Sequence, residues 1–195
     1  MKGKIKYYFL ILFLFVAAVS CDFLQTREAE PPNTTRDDFL PSTSPEILFS
    51  NLTNAFKNKV TENYLACFVS PAFTDKQFRF VPTASASVIY SVFQNWDLNS
   101  ERDYFTSLIN MLPEGTPIIL SLNKLGYTQY ADSAVYDFSY VINLNYENEN
   151  LAPVYQGNLK FTIVLDSRQQ WVISRWVDYE KQNYPSWSEL KGRSY

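Results

Sequence analysis

The side chains able to do chemistry are few, and their kinds narrow the options. None of the 195 residues is histidine, which removes His-built zinc sites, Ser-His-Asp and Cys-His nucleophiles and imidazole acid–base work together. Of two cysteines, Cys67 lies in the apolar run Leu65-Ala66-Cys67-Phe68. A nucleophilic thiol wants cationic neighbours and exposure, so Cys67 reads as a buried, inert side chain. Four other residues stand out because each falls among large apolar residues at alternate spacing: Tyr136, Tyr140, Tyr155 and Arg175. The tyrosine hydroxyls could hold a ligand, or simply reach a partner at the edge of a core. A guanidinium in the phase of Trp171, Ile173 and Val177 needs an anionic ligand or an acidic partner, Glu101 or Asp103 being the candidates.

Cys21 is set apart by what precedes it. Lys2, Lys4 and Lys6 lead into an unbroken apolar run, Tyr7 to Val19, and then Ser20. Thirteen apolar residues fall short of the ~20 that span a bilayer, so the pattern is that of a removable export signal. The ending Ala18-Val19-Ser20-Cys21 resembles the bacterial lipoprotein signal. That resemblance implies cleavage before Cys21, its lipidation, and a membrane-anchored place in the bacterial cell envelope, on the periplasmic or surface side. The same three residues also satisfy an A-x-A-like cut, which would leave Cys21 a free thiol or half of a disulfide. Each buried lipid methylene contributes about 0.8 kcal/mol, so an acylated Cys21 would hold the chain firmly at a membrane.

Without residues 1–20 the chain carries 14 basic against 20 acidic residues. No basic run follows the signal, and nucleic acid is excluded as a partner because phosphate contacts need a concentrated basic surface. Aromatic residues make up 17% and glycines number five, the composition of a packed, sheet-rich domain. Residues 21–44 are polar and punctuated by Pro31, Pro32 and Pro41, and read as a flexible tether reaching roughly 25–30 Å. Residues 45–195 form the one expected domain.

The elements of that domain follow from period and punctuation. Ser44-Pro45-Glu46 starts a helix, and the apolar stripes Leu48, Leu52, Ala55, Phe56 and Val60, Tyr64, Cys67, Phe68 predict two short helices in a bent pair over 45–68. A short strand over 77–81, a weak helix over 84–94 and a helix over 100–112 come next. The second half alternates. Tyr136, Phe138, Tyr140, Ile142 and Leu144 face one way and Asp137, Ser139, Val141 the other. With 116–127, 155–165 and 170–179 this predicts a four-stranded antiparallel meander, hence an α+β domain with N-terminal helices on one face of a curved sheet. The opposite phase, Val141, Thr162, Val164, Val172 and Trp176, is a candidate outer-face patch for a homodimer or an envelope protein partner.

This order, with Phe78-Arg79-Phe80, the ending Trp171-Val172-Ile173-Ser174-Arg175-Trp176-Val177-Asp178 and the tail Ser186-Trp187-Ser188-Glu189-Leu190-Lys191, resembles the nuclear transport factor two-like (cystatin-like, SnoaL-like) cone domains. The resemblance covers about 45–191. It implies a cone-shaped cavity between sheet and helices, dimerisation through the outer sheet face, and functions from isomerases to non-catalytic scaffolds. The expectation is a non-catalytic cone, without cofactor or metal, that binds a small hydrophobic ligand or a protein partner. The alternative is a histidine-independent isomerase or hydratase using cavity Tyr and Asp residues.

Overall fold

The computed structural model describes residues 39–147 and 149–195. The expected export signal, Cys21 and the expected tether up to residue 38 lie outside the described residues. Residues 39–44 belong to the domain and not to a tether. The Asn51 side chain, itself buried, donates to the Leu40 carbonyl at 2.6 Å and accepts from the Leu40 N–H at 3.0 Å. Ser42 is buried, and its carbonyl receives the Trp171 N–H at 2.8 Å. Polar composition hid this strap because its bonds run through backbone groups.

Helix α1 (Pro45–Asn58) starts where the N-cap signal puts it. The Ser44 hydroxyl accepts from Ile47 N–H, Pro45 occupies the first turn, and Lys59 ends the helix in the left-handed region at φ 56°. Helix α2 (Thr61–Leu65) completes the bent pair. Strand β1 (Arg79–Val81) and helix α3 (Ala84–Ile89) follow, then a 3-10 turn, Ser91–Asn95. Helix α4 (Leu98–Met111) begins two residues before the predicted start because Asp97 and Ser100 form a capping box. Strands β2 (Ile119–Gln129), β3 (Ser133–Asn143), β4 (Val154–Leu165) and β5 (Trp171–Glu180) make the antiparallel meander, and helix α5 (Trp187–Ser194) closes the chain.

The sheet order is β1-β5-β4-β3-β2, with β1 parallel to β5. Helices pack on one face, and the core between them is aromatic: Phe56, Tyr64, Phe68, Tyr104, Phe105, Phe161, Trp176 and Trp187 are all buried and in mutual ring contact. The predicted phases of β3 and β4 match the observed burial, with Tyr136, Phe138, Tyr140, Tyr155, Leu159 and Phe161 inside.

Strand β5 breaks the pattern. Thr162 pairs with Arg175 and Ile163 with Ile173, so Ser174 is the extra residue of a β-bulge. Beyond it, the side-chain phase reverses. Arg175 is exposed, while Trp176, assigned by alternation to the outer patch, is 0% exposed. The bulge also divides the strand's outer edge. Before it, segment 67–69 bonds to Ile173; after it, β1 pairs Phe80 with Trp176.

The same reversal takes Trp176 out of the predicted outer patch. Val164 and Val172 form a small separate cluster with Val69, covered by Phe78, Thr162 is half-buried, and Val141 remains exposed. Replacing Arg175 by Ala is therefore expected to change the free energy of unfolding in urea by less than about 0.5 kcal/mol. Trp176→Glu, which puts a charge into the aromatic core, should cost more than about 4 kcal/mol or abolish folding.

Candidate functional site

The interior of the cone holds a small polar network built by four segments. On α4, Glu101 lies one turn before Tyr104 and Phe105, so its helical phase sends it inward with them, and it is fully buried. Tyr64, from α2, donates its hydroxyl to Glu101 Oε2 at 2.6 Å. Trp96 donates Nε1–H to Oε1 at 2.7 Å. The third partner is Lys191 on α5, itself 0% exposed, whose ammonium forms an ion pair with Oε1. Four rings surround that ammonium: Trp176 at 3.8 Å from Nζ to the ring centroid, Phe80 at 4.0 Å, Trp96 and Tyr104 at 5.2 Å. These distances are in the range of cation–π attraction, which is strongest where water is excluded.

A second buried carboxylate lies alongside. Asp178 points inward because of the bulge, and it accepts from Tyr140 Oη–H at 2.9 Å and from Ser188 N–H and Oγ–H at 2.7 and 2.6 Å. Tyr140 in turn receives Trp187 N–H at 2.7 Å. Its hydroxyl has room because the residue opposite is Gly157, where a Cβ would come within 2.5 Å of it. Helix α5 thus docks by its first turn onto Asp178 and Tyr140. Trp187 fills the interior against Trp176, Tyr140 and Phe56, with Nε1–H donated to Tyr104 Oη at 3.0 Å. Gly192 lets the helix sit against the Tyr90 ring, which a Cβ would strike at 2.3 Å.

Burial shapes the electrostatics of the network. It pushes the Lys191 ammonium down to about 8, against the pull of Glu101. It raises the Asp178 carboxyl above its ordinary range, although the bonds from Ser188 and Tyr140 favour the charged form. Tyr64 and Tyr140 rise for the same reason, helped by their carboxylate neighbours. Burial also raises the Cys67 thiol.

Of the four candidate cavity residues, Tyr140 alone joins this network. Tyr155 is buried, but its hydroxyl accepts from Ala152 N–H at 3.0 Å. Tyr136 packs between Phe49 and Tyr127. Arg175, the candidate cavity cation, lies on the other face. Glu101 was the acid considered as its partner; the cation it meets is Lys191. Alternate spacing could have found Asp178 only with the bulge known, and Lys191 could have been found as the fourth residue after Trp187 on a helical face. Among the described residues no three Cys, Asp or Glu side chains converge as a metal site.

Outside the cone, a groove of about 570 Å³ runs between the segment after α2, the approach to β1 and the start of α4. Val69 is buried in its floor, with Leu65, Phe78 and Leu98 half-buried, and Lys76, Asp97 and Arg102 line its rim. Arg102 is held at 2.6 Å by Glu62.

The layout of cone, bent helix pair and meander is shared with solved structures. A protein of unknown function from Pseudomonas putida, described as nuclear transport factor two-like, has a TM-score of 0.51 at 8% identity, over 74% of this chain and 92% of that one. The fold is nuclear transport factor two-like. The proposed aromatic ring hydroxylase of Novosphingobium aromaticivorans matches it at TM-score 0.51 and 13% identity, over 75% and 92% of the two chains. A Mycobacterium tuberculosis protein of unknown function matches at TM-score 0.50 and 14% identity, over 70% and 73%. No family model and no curated protein matches the chain. In this nuclear transport factor two-like cone, the space between sheet and helices is taken by α5 and its aromatic neighbours.

Removing one member of the buried pair strands the other. Lys191→Met, which keeps the length and loses the charge, is expected to cost about 3–5 kcal/mol in urea unfolding. The double variant Glu101→Gln/Lys191→Met should recover a large part of that loss, a coupling that a pair of independent packing defects would not give.

Proposed function

We propose that the protein is a non-catalytic binding lipoprotein of the bacterial cell envelope, tethered through an acylated Cys21, and that its nuclear transport factor two-like domain takes a small hydrophobic ligand in the outer groove. The observation that carries the reading is the groove itself. Its volume, about 570 Å³, lies within the range of small-molecule sites, and its floor is apolar with a few polar groups at the rim. The isomerase or hydratase reading would use Asp178, whose carboxyl is raised by burial beside the Tyr140 hydroxyl. Ser188 occupies that carboxylate with two hydrogen bonds, so a substrate has no free acid to meet while α5 is docked.

Among the described residues no helix is long and apolar enough to cross a membrane. Attachment, on this reading, comes from the lipid on Cys21, so Cys21→Ser is expected to abolish labelling by an alkyne fatty acid in cells. Unlabelled wild type would overturn the anchor. For the groove, the test is the fluorescence of N-phenylnaphthylamine. The wild type should bind it saturably. Leu98→Glu places a carboxylate in the first turn of α4, where the helix dipole tolerates it, and should weaken binding at least about tenfold, equivalent to about 1.4 kcal/mol, with the circular dichroism spectrum unchanged. Equal binding by the two proteins would remove the groove from consideration.

A further inference from the structure

The surroundings of Lys191 are those of a ligand site. Phe80 comes from β1, Trp96 from the residue after the 3-10 turn, Glu101 and Tyr104 from α4, and Trp176 from β5. The four ring faces and the carboxylate therefore all come from outside α5, which supplies the cation and braces two of the rings through Trp187, packed on Trp176 and bonded to Tyr104. The carboxylate is fixed independently of that cation, because Tyr64 and Trp96 hold its two oxygens at 2.6 and 2.7 Å. Such an arrangement selects an organic ammonium. One ammonium proton meets the carboxylate and the rest of the group lies against ring faces, which attract a cation and give an anion or neutral polar group nothing in return. The box also retains a buried donor, Trp176 Nε1–H, that finds no acceptor. The element delivering Lys191 is short. It has eight residues and is followed by the half-exposed Tyr195, whose ring lies 5.3 Å from that of Trp96.

We propose that Phe80, Trp96, Tyr104, Trp176 and Glu101 form a binding site for primary alkylammonium groups, which Lys191 fills as a tethered ligand and which a free alkylamine enters by displacing α5. This site is distinct from the outer groove and stands whether or not that groove binds a ligand. Occupation by Lys191 makes the docked helix a competitive plug. Tethering raises the effective concentration of the lysine ammonium, so a free amine competes only when abundant or when it makes further contacts in the space of Trp187. The class follows from the box. A primary ammonium on a linear alkyl stem fits, as in a lysine-like or polyamine end. A carboxylate would face Glu101, and a neutral alcohol would leave Glu101 without its cation.

The experiment uses the full chain with Lys191→Ala, which removes a propylammonium equivalent and leaves the box. In millimolar n-propylammonium the thermal midpoint of this variant should rise by about 5 °C, the scale of shift expected from a ligand well above its dissociation constant. Neither propanol nor propionate should move it. If the variant does not fold alone, it should refold from urea in n-propylammonium and not in propanol. A midpoint or refolding yield no better in the amine than in propanol would overturn the site. For the wild type, hydrogen exchange of the α5 amides should speed up at least twofold in excess n-propylammonium and stay constant in propanol. Unchanged exchange there would overturn the claim that a free amine displaces the plug, even if the Lys191→Ala variant binds.

Discussion

One buried ion pair organises the interior. Glu101 and Lys191 are 90 residues apart in sequence and both are fully buried, and each would be strongly destabilising alone, because the effective penalty for desolvating an ion is several kcal/mol. Their mutual attraction offsets this only with good geometry and with the remaining lone pairs satisfied. Tyr64, Trp96 and four ring faces do that here. An apolar pair of similar size could hold the two helices together as firmly, so the charge contributes chiefly to choice of register. Rotated by one residue, α5 would carry Lys191 away and leave the Glu101 carboxylate buried without its cation.

That register depends in turn on the bulge at Ser174. Ile173 and Asp178 are five positions apart, an odd number, so an unbroken strand would send them to opposite faces. The extra residue brings both inside, together with Trp176. Asp178 can then receive the first turn of α5 through Ser188, and Trp176 can present its ring face to Lys191. The cost is a local loss of sheet pairing, which the flanking pieces limit. Segment 67–69 covers the edge before the bulge and β1 covers it beyond. These two short pieces bring Phe68 and Phe80 against the Trp176 ring, stacked at 6.4 Å and edge-on at 5.3 Å between centroids. Edge protection and construction of the aromatic box are one structural event.

The fold was legible where period and caps carry it. The meander appears as alternation in β3 and β4, and α1 begins at Ser44-Pro45 as its capping residues indicate. The nuclear transport factor two-like arrangement follows from element order. What stayed hidden was the set of side chains inside. Alternation counts positions, and a bulge adds one without leaving a residue type that announces it; Ser174 is unremarkable in a strand. The available sign was that Trp171, Val172, Ile173 and Trp176 cannot all fit one alternating phase. Lys191 was hidden for another reason. Lysines are almost never fully buried unless paired, and nothing in the tail shows that a carboxylate waits on a helix 90 residues earlier. The strap at 39–44 escaped because its bonds use backbone groups that composition does not register.

The same interior constrains what the protein can do. A cone that performs proton transfer needs an acid or base that is short of partners and open to a substrate. Here Glu101 has three donors and Asp178 three, and the groups that saturate Asp178, and one of those on Glu101, sit on α5 or are braced by it. Reactivity is therefore tied to the position of one short helix and not to the identity of any one residue. With α5 docked, the binding proposed for the domain falls to the outside, through the groove beside α4. With α5 away, the exposed interior would carry two carboxylates within a wall of rings, a surface whose complement is an organic cation. On the two proposals the groove and the box would differ in the charge of what they recognise, an uncharged apolar molecule outside and an organic cation within.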